Sequence, residues 1–205
     1  MRVSVQLLRH GKTQGNKEKR YVGKTEERLS AEGILEIEEI RKRRADSPAP
    51  DLLFTSPMLR CLETCAILFP GKEKKVIPSF EEMDFGDFEM KNYSDLKGDK
   101  RYQEWIDSNG AGAFPNGESR EMFIKRSWNG FNCMLEEAAG WGQKNGWEDI
   151  CICAVVHGGT IMAVMSELLH GEYYDFQCGN GSCYVFSMEK TNDKWEYMEG
   201  TAEKR

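Results

Sequence analysis

The chain has 205 residues, and its content of 40% hydrophobic and 11% aromatic side chains excludes a disordered polypeptide. This length predicts a single domain with a substantial core. The formal net charge of −6 argues against a general nucleic-acid binder but permits a pocket that is locally positive and takes a small anionic substrate.

The first predicted element is a short buried strand at residues 3–8, which ends abruptly in the sequence Arg9-His10-Gly11. In an open α/β sheet, ligands bind at the carboxyl ends of the strands, so Arg9 and His10 are candidate site residues. A lone histidine is more often a hydrogen-bonded structural residue, and this segment therefore needs support from other parts of the chain.

A helix and a second strand are predicted after a charged connection at residues 17–28. Ser30 is the expected N-cap of the helix, and Ile34, Ile37 and Ile40 form its apolar stripe. The helix ends before the prolines at 48 and 50, and the strand follows at residues 51–55.

The next junction, Ser56-Pro57, predicts a helix start, because serine is a preferred N-cap and proline a preferred first residue. Arg60 then lies in the first turn with its side chain directed back toward the strand ends. A cation is unfavourable at that end of a helix unless an anion binds there, although a surface salt bridge is the plain alternative. The predicted buried face comprises Leu59, Leu62, Ala66 and Phe69.

A short third strand at residues 75–78 is followed by an acidic segment at 80–89 that contains Glu82 and that alone would be a solvated turn. Residues 91–117 are the least regular part of the chain and predict a helical excursion that covers the site. A long helix begins near Ser119, and its expected buried stripe is Met122, Trp128, Phe131 and Leu135.

The apolar run at residues 150–156 predicts a central strand that is covered on both faces. It ends in His157-Gly158, followed by an apolar helix at 161–169, and so repeats the arrangement at His10. The third histidine, His170, lies at a helix end and is assigned no role. The terminal segments predict an antiparallel hairpin at 183–188 and 195–198, followed by a frayed tail at 201–205.

Several of these segments, taken in order, resemble the histidine phosphatase (phosphoglycerate-mutase-like) superfamily. The pattern R-H-G-x-T-x-x-N at residues 9–16 resembles its signature, and residues 56–64 resemble its S-x-L-x-R-x-x-x-T segment with Met58 in the usual leucine place. Residues 82–90 are similar to E-x-D-F-G-x-W-E-G, with Phe88 replacing the usual tryptophan and Met90 the usual glycine. Residues 114–119 resemble the P-x-G-E-S entry to a long helix, and His157 resembles the second catalytic histidine.

The resemblance implies a three-layer α/β/α sandwich with a mostly parallel mixed sheet and one antiparallel strand. It implies one domain over residues 1–205, with a covering excursion at about 91–117. It makes His10 the nucleophile, Glu82 the proton donor, and Arg9, Arg60 and His157 the groups that hold the phosphoryl oxygens. The implied substrate-binding residues are Arg9, Thr13, Asn16, Gly23, Arg60, His157 and Gly158.

The chemistry of these residue types agrees with the resemblance. Neutral His10 can attack phosphorus if one ring nitrogen is free and the other donates to a backbone carbonyl, and nearby cations should lower its pKa. Met90 in a glycine position puts the local shape of the pocket in question. No grouping of residues in the sequence indicates a metal ion, and no cofactor is expected.

The resulting hypothesis is a metal-independent phosphatase that hydrolyses small phosphate monoesters, similar to the small α-ribazole-phosphatase type. A phosphoglycerate mutase is the alternative, and an inert phosphate-binding or interaction module is a third hypothesis from another class. The expected partner is a small phosphorylated metabolite, with no nucleic acid and no membrane; the sequence determines neither the substrate nor the oligomeric state.

The seven cysteines show no C-x-x-C pairing of the kind that binds zinc. Residues 1–8 are too short and too charged for the apolar part of a secretory signal, and no apolar run approaches membrane-spanning length. These features predict buried, reduced thiols and a cytoplasmic protein.

Overall fold

The computed structural model describes residues 1–205, which form one mixed sheet with helices on both faces. The strands are β1 (Arg2–Arg9), β2 (Leu52–Thr55), β3 (Lys74–Val76), β4 (Asp149–Val156), β5 (Cys183–Thr191), β6 (Lys194–Tyr197) and β7 (Glu203–Lys204). The helices are α1 (Gln14–Lys17), α2 (Ala31–Arg43), α3 (Leu59–Leu68), α4 (Tyr93–Leu96), α5 (Lys100–Asp107), α6 (Arg120–Asn145) and α7 (Gly158–Leu169), with 3₁₀ turns at Pro78–Phe80, Gly86–Phe88 and Tyr173–Phe176.

The strand order is β3-β2-β4-β1-β5-β6, with β7 paired to β5. Strands β1 to β4 pair in parallel, and β5 runs antiparallel to β1, β6 and β7. Only β5 therefore runs against the others, which confirms the prediction of one antiparallel strand. The prediction of a frayed tail is wrong, because Glu203 and Lys204 pair with Val185 and Tyr184 of β5.

Two separate cores confirm the three-layer α/β/α sandwich. On one face, Leu8, Leu53 and Cys153 of the sheet pack with Ile37 of α2 and Cys61 of α3. On the other face, the larger core joins the sheet to α6 and α7. All seven cysteines are free, and five are buried; Cys133 and Cys151 are exposed, so the expectation of buried thiols is wrong for these two.

Helix α2 begins as predicted, since the Ser30 hydroxyl accepts a hydrogen bond from the Gly33 amide at 3.0 Å. Ile37 is buried, but Ile34 is 38% exposed and does not belong to the buried stripe. Helix α6 begins after Ser119, and Phe123 is buried there in place of Met122, which is 62% exposed.

Helix α3 differs most from the prediction. It begins at Leu59 with Met58 as its N-cap residue, two residues later than the serine–proline pair indicated. Its buried side is Arg60, Cys61, Thr64, Cys65 and Leu68 rather than the predicted leucines, alanine and phenylalanine. On this side, Thr64 accepts a hydrogen bond from the Gly11 amide at 3.0 Å, which joins the helix to the loop after His10.

The segment at 91–117 contains α4 and α5 and is joined to the main body by apolar contacts. Leu96, Tyr102 and Phe114 are buried in a third cluster together with Phe123 of α6 and Ala163 of α7. The covering segment therefore sits over the amino-terminal ends of α6 and α7. None of the helices in the structure combines the length and the apolar character that crossing a bilayer requires.

Candidate active site

The two predicted histidines meet at the carboxyl ends of neighbouring strands. Arg9 of β1 pairs with Val156 of β4, and the His10 amide donates to the Val156 carbonyl at 3.0 Å. The rings of His10 and His157 lie 5.2 Å apart between centroids at an angle of 65°. The parallel register thus brings residues 147 positions apart in the sequence into one site.

His10 has one ring nitrogen engaged and one without a protein partner. Its Nδ1 lies 2.7 Å from the carbonyl oxygen of Gly11, which can only accept, so Nδ1 carries the proton and Nε2 keeps its lone pair. Burial lowers the pKa of His10 well below 6.5, and the positive charges of Arg60 and Arg9 lower it further. The sequence predicted the effect of the cations, but burial is the larger cause. His10 is therefore neutral at pH 7, as a nucleophile must be.

Arg9 and Arg60 bring two positive charges to this site without forming an ion pair with a carboxylate. Arg60 is fully buried, and its two terminal nitrogens donate to the carbonyls of Gly23 at 2.7 Å and Thr25 at 3.1 Å. Arg9 donates to the Cys178 carbonyl at 2.6 Å, while its buried Nε has no partner. Cations without counter-ions, of which Arg60 is fully buried and Arg9 half-buried, favour an anionic ligand. The alternative of a surface salt bridge at Arg60 is wrong.

His157 is held at both ring nitrogens. Its Nδ1 accepts from Nε of Arg60 at 3.3 Å, and its Nε2 lies 2.7 Å from the hydroxyl of Ser56. The Cys61 sulfur packs 3.6 Å from Nε2. Burial lowers the pKa of His157 well below 6.5, and Arg60 adds to this effect, so the ring is neutral. Ser56 was predicted only as a helix cap, and its contact with His157 is not visible in the local sequence.

Glu82 is buried. The prediction that residues 80–89, taken alone, form a solvated turn is therefore wrong for this side chain. One carboxylate oxygen accepts from the Met83 amide at 3.0 Å, and the other accepts from the Gly159 amide of α7 at 3.2 Å. Burial raises the pKa of Glu82 above 4.5, while these two amides and the arginines oppose the rise. A carboxyl group in this environment can hold a proton closer to neutral pH than an exposed glutamate.

The predicted substrate-binding residues of the first loop divide into two kinds. Thr13 is fully buried and caps α1, with its hydroxyl accepting from the Asn16 amide at 3.2 Å. Asn16 lines the cavity described below and accepts from Asn180 at 3.1 Å. Asn180 also donates to the carbonyl of His10 at 3.0 Å, a contact that the sequence analysis missed because Asn180 lies in a distant loop without a motif.

The two predicted glycines also differ in position. Gly158 lines the cavity, and a Cβ atom there would lie 3.2 Å from the guanidinium carbon of Arg9. Gly23 does not line the cavity, and it acts through its carbonyl, which holds Arg60. A Cβ at Gly23 would lie 2.0 Å from the Met83 carbonyl oxygen, so only glycine fits.

A cavity of about 360 Å³ lies next to Arg9 and Glu82. Gly158 and Gly159 also line it, together with Trp105, Gly110 and Phe114 of residues 91–117. The structure contains no group of three or more His, Cys, Asp or Glu side chains arranged to hold a metal ion.

Met90, which stands in a glycine position of the resembled pattern, has a positive φ of 58°. The backbone thus keeps the left-handed conformation that favours glycine, at a cost of about 1–2 kcal/mol for a residue with a side chain. The Met90 amide donates to the Tyr21 carbonyl at 2.8 Å. This hydrogen bond connects the segment after Glu89 with the loop that contains Tyr21.

Comparison with known proteins identifies relatives of this arrangement. The model of the histidine phosphatase superfamily (branch 1) matches residues 5–200. The adenosylcobalamin/α-ribazole phosphatase of Escherichia coli K12 is 29% identical over 124 residues, which are 58% of this chain and 61% of that protein. A 2,3-bisphosphoglycerate-dependent phosphoglycerate mutase of Staphylococcus epidermidis is 28% identical over 108 residues, 48% of this chain and 47% of that protein. These alignments span less than two thirds of the relatives' length.

The fold also matches solved structures. The α-ribazole phosphatase of Shigella flexneri superposes with a TM-score of 0.74 at 24% identity, over 97% of this chain and 95% of that one. At this identity the likeness concerns the fold.

Proposed function

Because this chain belongs to the histidine phosphatase superfamily (branch 1), we propose that it hydrolyses small phosphate monoesters through a phosphohistidine at His10. The observation that carries the proposal is the hydrogen bond from Nδ1 of His10 to the Gly11 carbonyl, which leaves Nε2 as a neutral nucleophile. The names of the phosphatase relatives support the same reaction class.

In the first step, Nε2 of His10 attacks the phosphorus, and the bond from phosphorus to the alcohol oxygen breaks. Arg9 and Arg60 bring positive charge to the phosphoryl oxygens, where negative charge develops in the transition state. His157 fixes Arg60 at Nε through the contact of 3.3 Å. These cations supply the neutralisation for which other phosphatases use metal ions, which supports a metal-independent reaction.

Glu82 serves both halves of the reaction. Its raised pKa supports a protonated carboxyl group, which gives its proton to the departing alcohol oxygen. The resulting carboxylate then accepts a proton from the water that attacks the phosphohistidine, so that phosphate leaves and His10 and Glu82 return to their first states. Our proposed substrate-binding set remains Arg9, Thr13, Asn16, Gly23, Arg60, His157 and Gly158. Within this set, Thr13, Gly23 and His157 act through the groups that they hold.

The alternative function is a phosphoglycerate mutase, and the name of the Staphylococcus relative favours it. A mutase must exclude water from the phosphoenzyme and hold the carboxylate of its substrate beside it. The cavity wall supplied by residues 91–117 consists of Trp105, Gly110 and Phe114, none of which is a cation. Arg20 and Arg120 line other parts of the cavity, and Arg20 is paired with Glu18 and Asp95. The apolar character of the covering segment supports the phosphatase, and the assay below separates the two functions.

Incubation with 3-phosphoglycerate and a trace of 2,3-bisphosphoglycerate, together with a panel of phosphate monoesters and exhaustive chelation of metals, tests the proposal. We expect phosphate release from the monoesters with no loss after chelation, and little 2-phosphoglycerate. Rapid formation of 2-phosphoglycerate without matching phosphate release would establish the mutase. Binding of phosphate esters without turnover of any would establish an inert binding module.

A further inference from the structure

Aromatic rings from three separate segments line the active-site cavity. Tyr21 comes from the first loop, Trp105 and Phe114 from residues 91–117, and Tyr173 and Tyr174 from the 3₁₀ turn before β5. The rings of Trp105 and Phe114 are 4.7 Å apart at 34°, and those of Tyr21 and Trp105 are 6.1 Å apart at 86°. The rings of the cavity wall therefore pack on one another at both shallow and steep angles.

Gly110 joins two parts of this wall. Its φ of +69° is in the region that favours glycine, and a Cβ there would lie 2.5 Å from the Tyr174 hydroxyl and 3.1 Å from the Trp105 ring. Glycine at this position allows residues 91–117 to approach the 3₁₀ turn. The aromatic wall thus continues across two segments that are far apart in the sequence.

Besides Arg9, two arginines line the cavity, Arg20 and Arg120. Arg20 is paired with Glu18 at 2.6 Å and Asp95 at 3.0 Å. Arg120 lies over the rings of Tyr173 and Tyr174, 5.9 and 5.8 Å from their centroids. Its guanidinium is thus placed as part of an aromatic stack.

We propose, on the basis of the function proposed above, that this cavity selects phosphate monoesters whose leaving alcohol carries an aromatic ring. The phosphate lies at the end formed by Arg9 and Glu82, and the ring lies between Tyr21, Trp105 and Tyr174. Aromatic pairs with offset or edge-to-face geometry are favoured beyond the burial of their area. A volume of about 360 Å³ admits a ring with a short linker.

The test compares kcat/KM for ethyl phosphate, 2-cyclohexylethyl phosphate and 2-phenylethyl phosphate. These esters release primary alcohols of similar acidity, so differences report contacts of the leaving group. We expect 2-phenylethyl phosphate to exceed ethyl phosphate by about 10- to 100-fold, the range for burying an aromatic ring. It should exceed the cyclohexyl ester by about 3- to 10-fold, the range for an aromatic pair.

Two variants locate the effect. Trp105→Leu and Tyr174→Leu should each reduce the preference for the phenyl ester over the cyclohexyl ester, and Tyr174, being 39% exposed, should tolerate the change without unfolding. Trp147→Leu is the matched control, because Trp147 packs on Trp141 and does not line the cavity. Equal kcat/KM values for all three esters would overturn this inference and leave the phosphatase intact. If none of the three esters is hydrolysed, and if no ³²P from a labelled monoester is found on His10, both this inference and the proposed phosphatase function would be overturned.

A separate observation carries a second inference, which concerns Glu89. Its carboxylate accepts from the amides of Gly23 at 3.1 Å, Lys24 at 3.0 Å and Phe85 at 3.0 Å, and from the hydroxyl of Thr25 at 2.7 Å. One side chain thus ties together the loop at residues 23–25 and the segment that carries Glu82.

The same loop holds Arg60 from its other side. The carbonyls of Gly23 and Thr25 are the acceptors for the two terminal nitrogens of Arg60, at 2.7 and 3.1 Å. Because the amides of this loop are fixed by Glu89, the direction of its carbonyls is fixed as well. We infer that Glu89 is a positioning residue, which sets the place of the Arg60 guanidinium for the phosphoryl group.

Glu89→Gln tests this role. Both carboxylate oxygens of Glu89 accept from backbone N–H groups, and the glutamine would place an NH₂ donor against some of these donors. We expect kcat/KM to fall about 10- to 100-fold, the range for a small displacement of a catalytic group. The loss should be equal for 4-nitrophenyl phosphate and for alkyl phosphates, because Arg60 acts on the phosphoryl oxygens. Vanadate can mimic a five-coordinate phosphoryl group, so its inhibition depends on the same contacts with Arg60. The inhibition constant for vanadate should therefore rise by a similar factor.

Glu63→Gln is the matched control, since Glu63 accepts from the Leu29 amide at 2.9 Å but has no contact with the carbonyls that hold Arg60. A variant Glu89→Gln that melts earlier but keeps wild-type kcat/KM and vanadate inhibition would show a purely structural role and overturn the inference. A loss confined to alkyl phosphates would make Glu89 a proton donor, which also overturns it.

Discussion

The two junctions of strand, histidine and helix are alike in sequence and opposite in the way they hold the ring. At the end of β1, His10 bonds to the carbonyl of the next residue and has one nitrogen without a partner. At the end of β4, His157 is engaged at both nitrogens by Arg60 and Ser56. The comparison shows that two strand-end histidines can differ in whether a ring nitrogen is left without a partner, and this difference is why we propose His10 rather than His157 as the nucleophile.

The helices that follow support the same distinction. Helix α1 has only four residues, and its N-cap residue is Thr13. His10 therefore takes no part in capping the helix that follows it. His157 is itself the N-cap residue of the 12-residue helix α7. The Gly159 amide of α7 donates to Glu82, so the helix start next to His157 also positions the proposed acid.

Replacing His10 tests the comparison most severely. His10→Ala should lower kcat by about 10³-fold or more, because the covalent step is removed. The assay is phosphate release from several monoesters. His170→Asn is the control, since His170 has a φ of 53° that asparagine tolerates and no contact with the site. Substantial activity in the His10 variant would place the nucleophile elsewhere.

Replacing Glu82 removes the proposed acid, which accepts a hydrogen bond from Gly159 at the second junction. Glu82→Gln should lower kcat by about 10²- to 10⁴-fold for alkyl phosphates and much less for 4-nitrophenyl phosphate, whose leaving group needs no proton. In the wild type, kcat for alkyl phosphates should fall as the pH rises through the raised pKa of Glu82. Glu81→Gln controls for the change of charge. Equal losses for both substrate classes would contradict the assignment.

Acid should destabilise both junctions through their histidines. The pKa values of His10 and His157 are lowered in the folded state, so the unfolded chain binds protons more readily below pH 6.5. Each histidine should therefore lower the free energy of unfolding as the pH drops through 6.5, by up to about 1.4 kcal/mol per pH unit. Glu82, whose pKa is raised in the folded state, contributes with the opposite sign, so the effect of the histidines is the difference between the wild type and variants that lack them. Urea titrations between pH 7.5 and 5.5 measure this slope. His157→Gln should reduce it, and an unchanged slope would argue against a buried neutral ring.

Removing the hydrogen bond between Ser56 and His157 tests how far the position of the His157 ring depends on this partner. Ser56→Ala removes the hydrogen bond to Nε2 and should lower kcat/KM by about 5- to 10-fold, the equivalent of one ordinary hydrogen bond. Steady-state kinetics on a single alkyl phosphate suffice. Ser47→Ala, at an exposed position, is the control. A wild-type rate in Ser56→Ala would show that Arg60 alone keeps the ring in place.

The sequence predicted the elements of the site better than it predicted their surroundings. His10 and His157 follow buried strands directly, and the parallel register of β1 and β4 brings them together. Arg60 lies at the start of α3, which follows the buried strand β2, and it contacts His157 from there. Glu82 was predicted only by resemblance, because an acidic loop gives no local sign that its carboxylate is buried.

The errors have a common physical cause. In α3 the predicted buried face contains Leu62, whereas the structure buries Arg60 and Thr64, whose partners lie in other segments. Asn180 donates to the His10 carbonyl from 170 residues away, and such a contact has no periodicity. Polar contacts across the chain are fixed by the fold as a whole.

The most direct test of the central claim is to trap the phosphoenzyme and locate the phosphate. Wild-type protein would be quenched during turnover of a ³²P-labelled monoester, digested, and mapped by mass spectrometry, with His10→Ala and His157→Gln treated in parallel. The account predicts an acid-labile, base-stable label on His10, absent in His10→Ala and present in His157→Gln. A label on His157, or on a carboxylate, would contradict it.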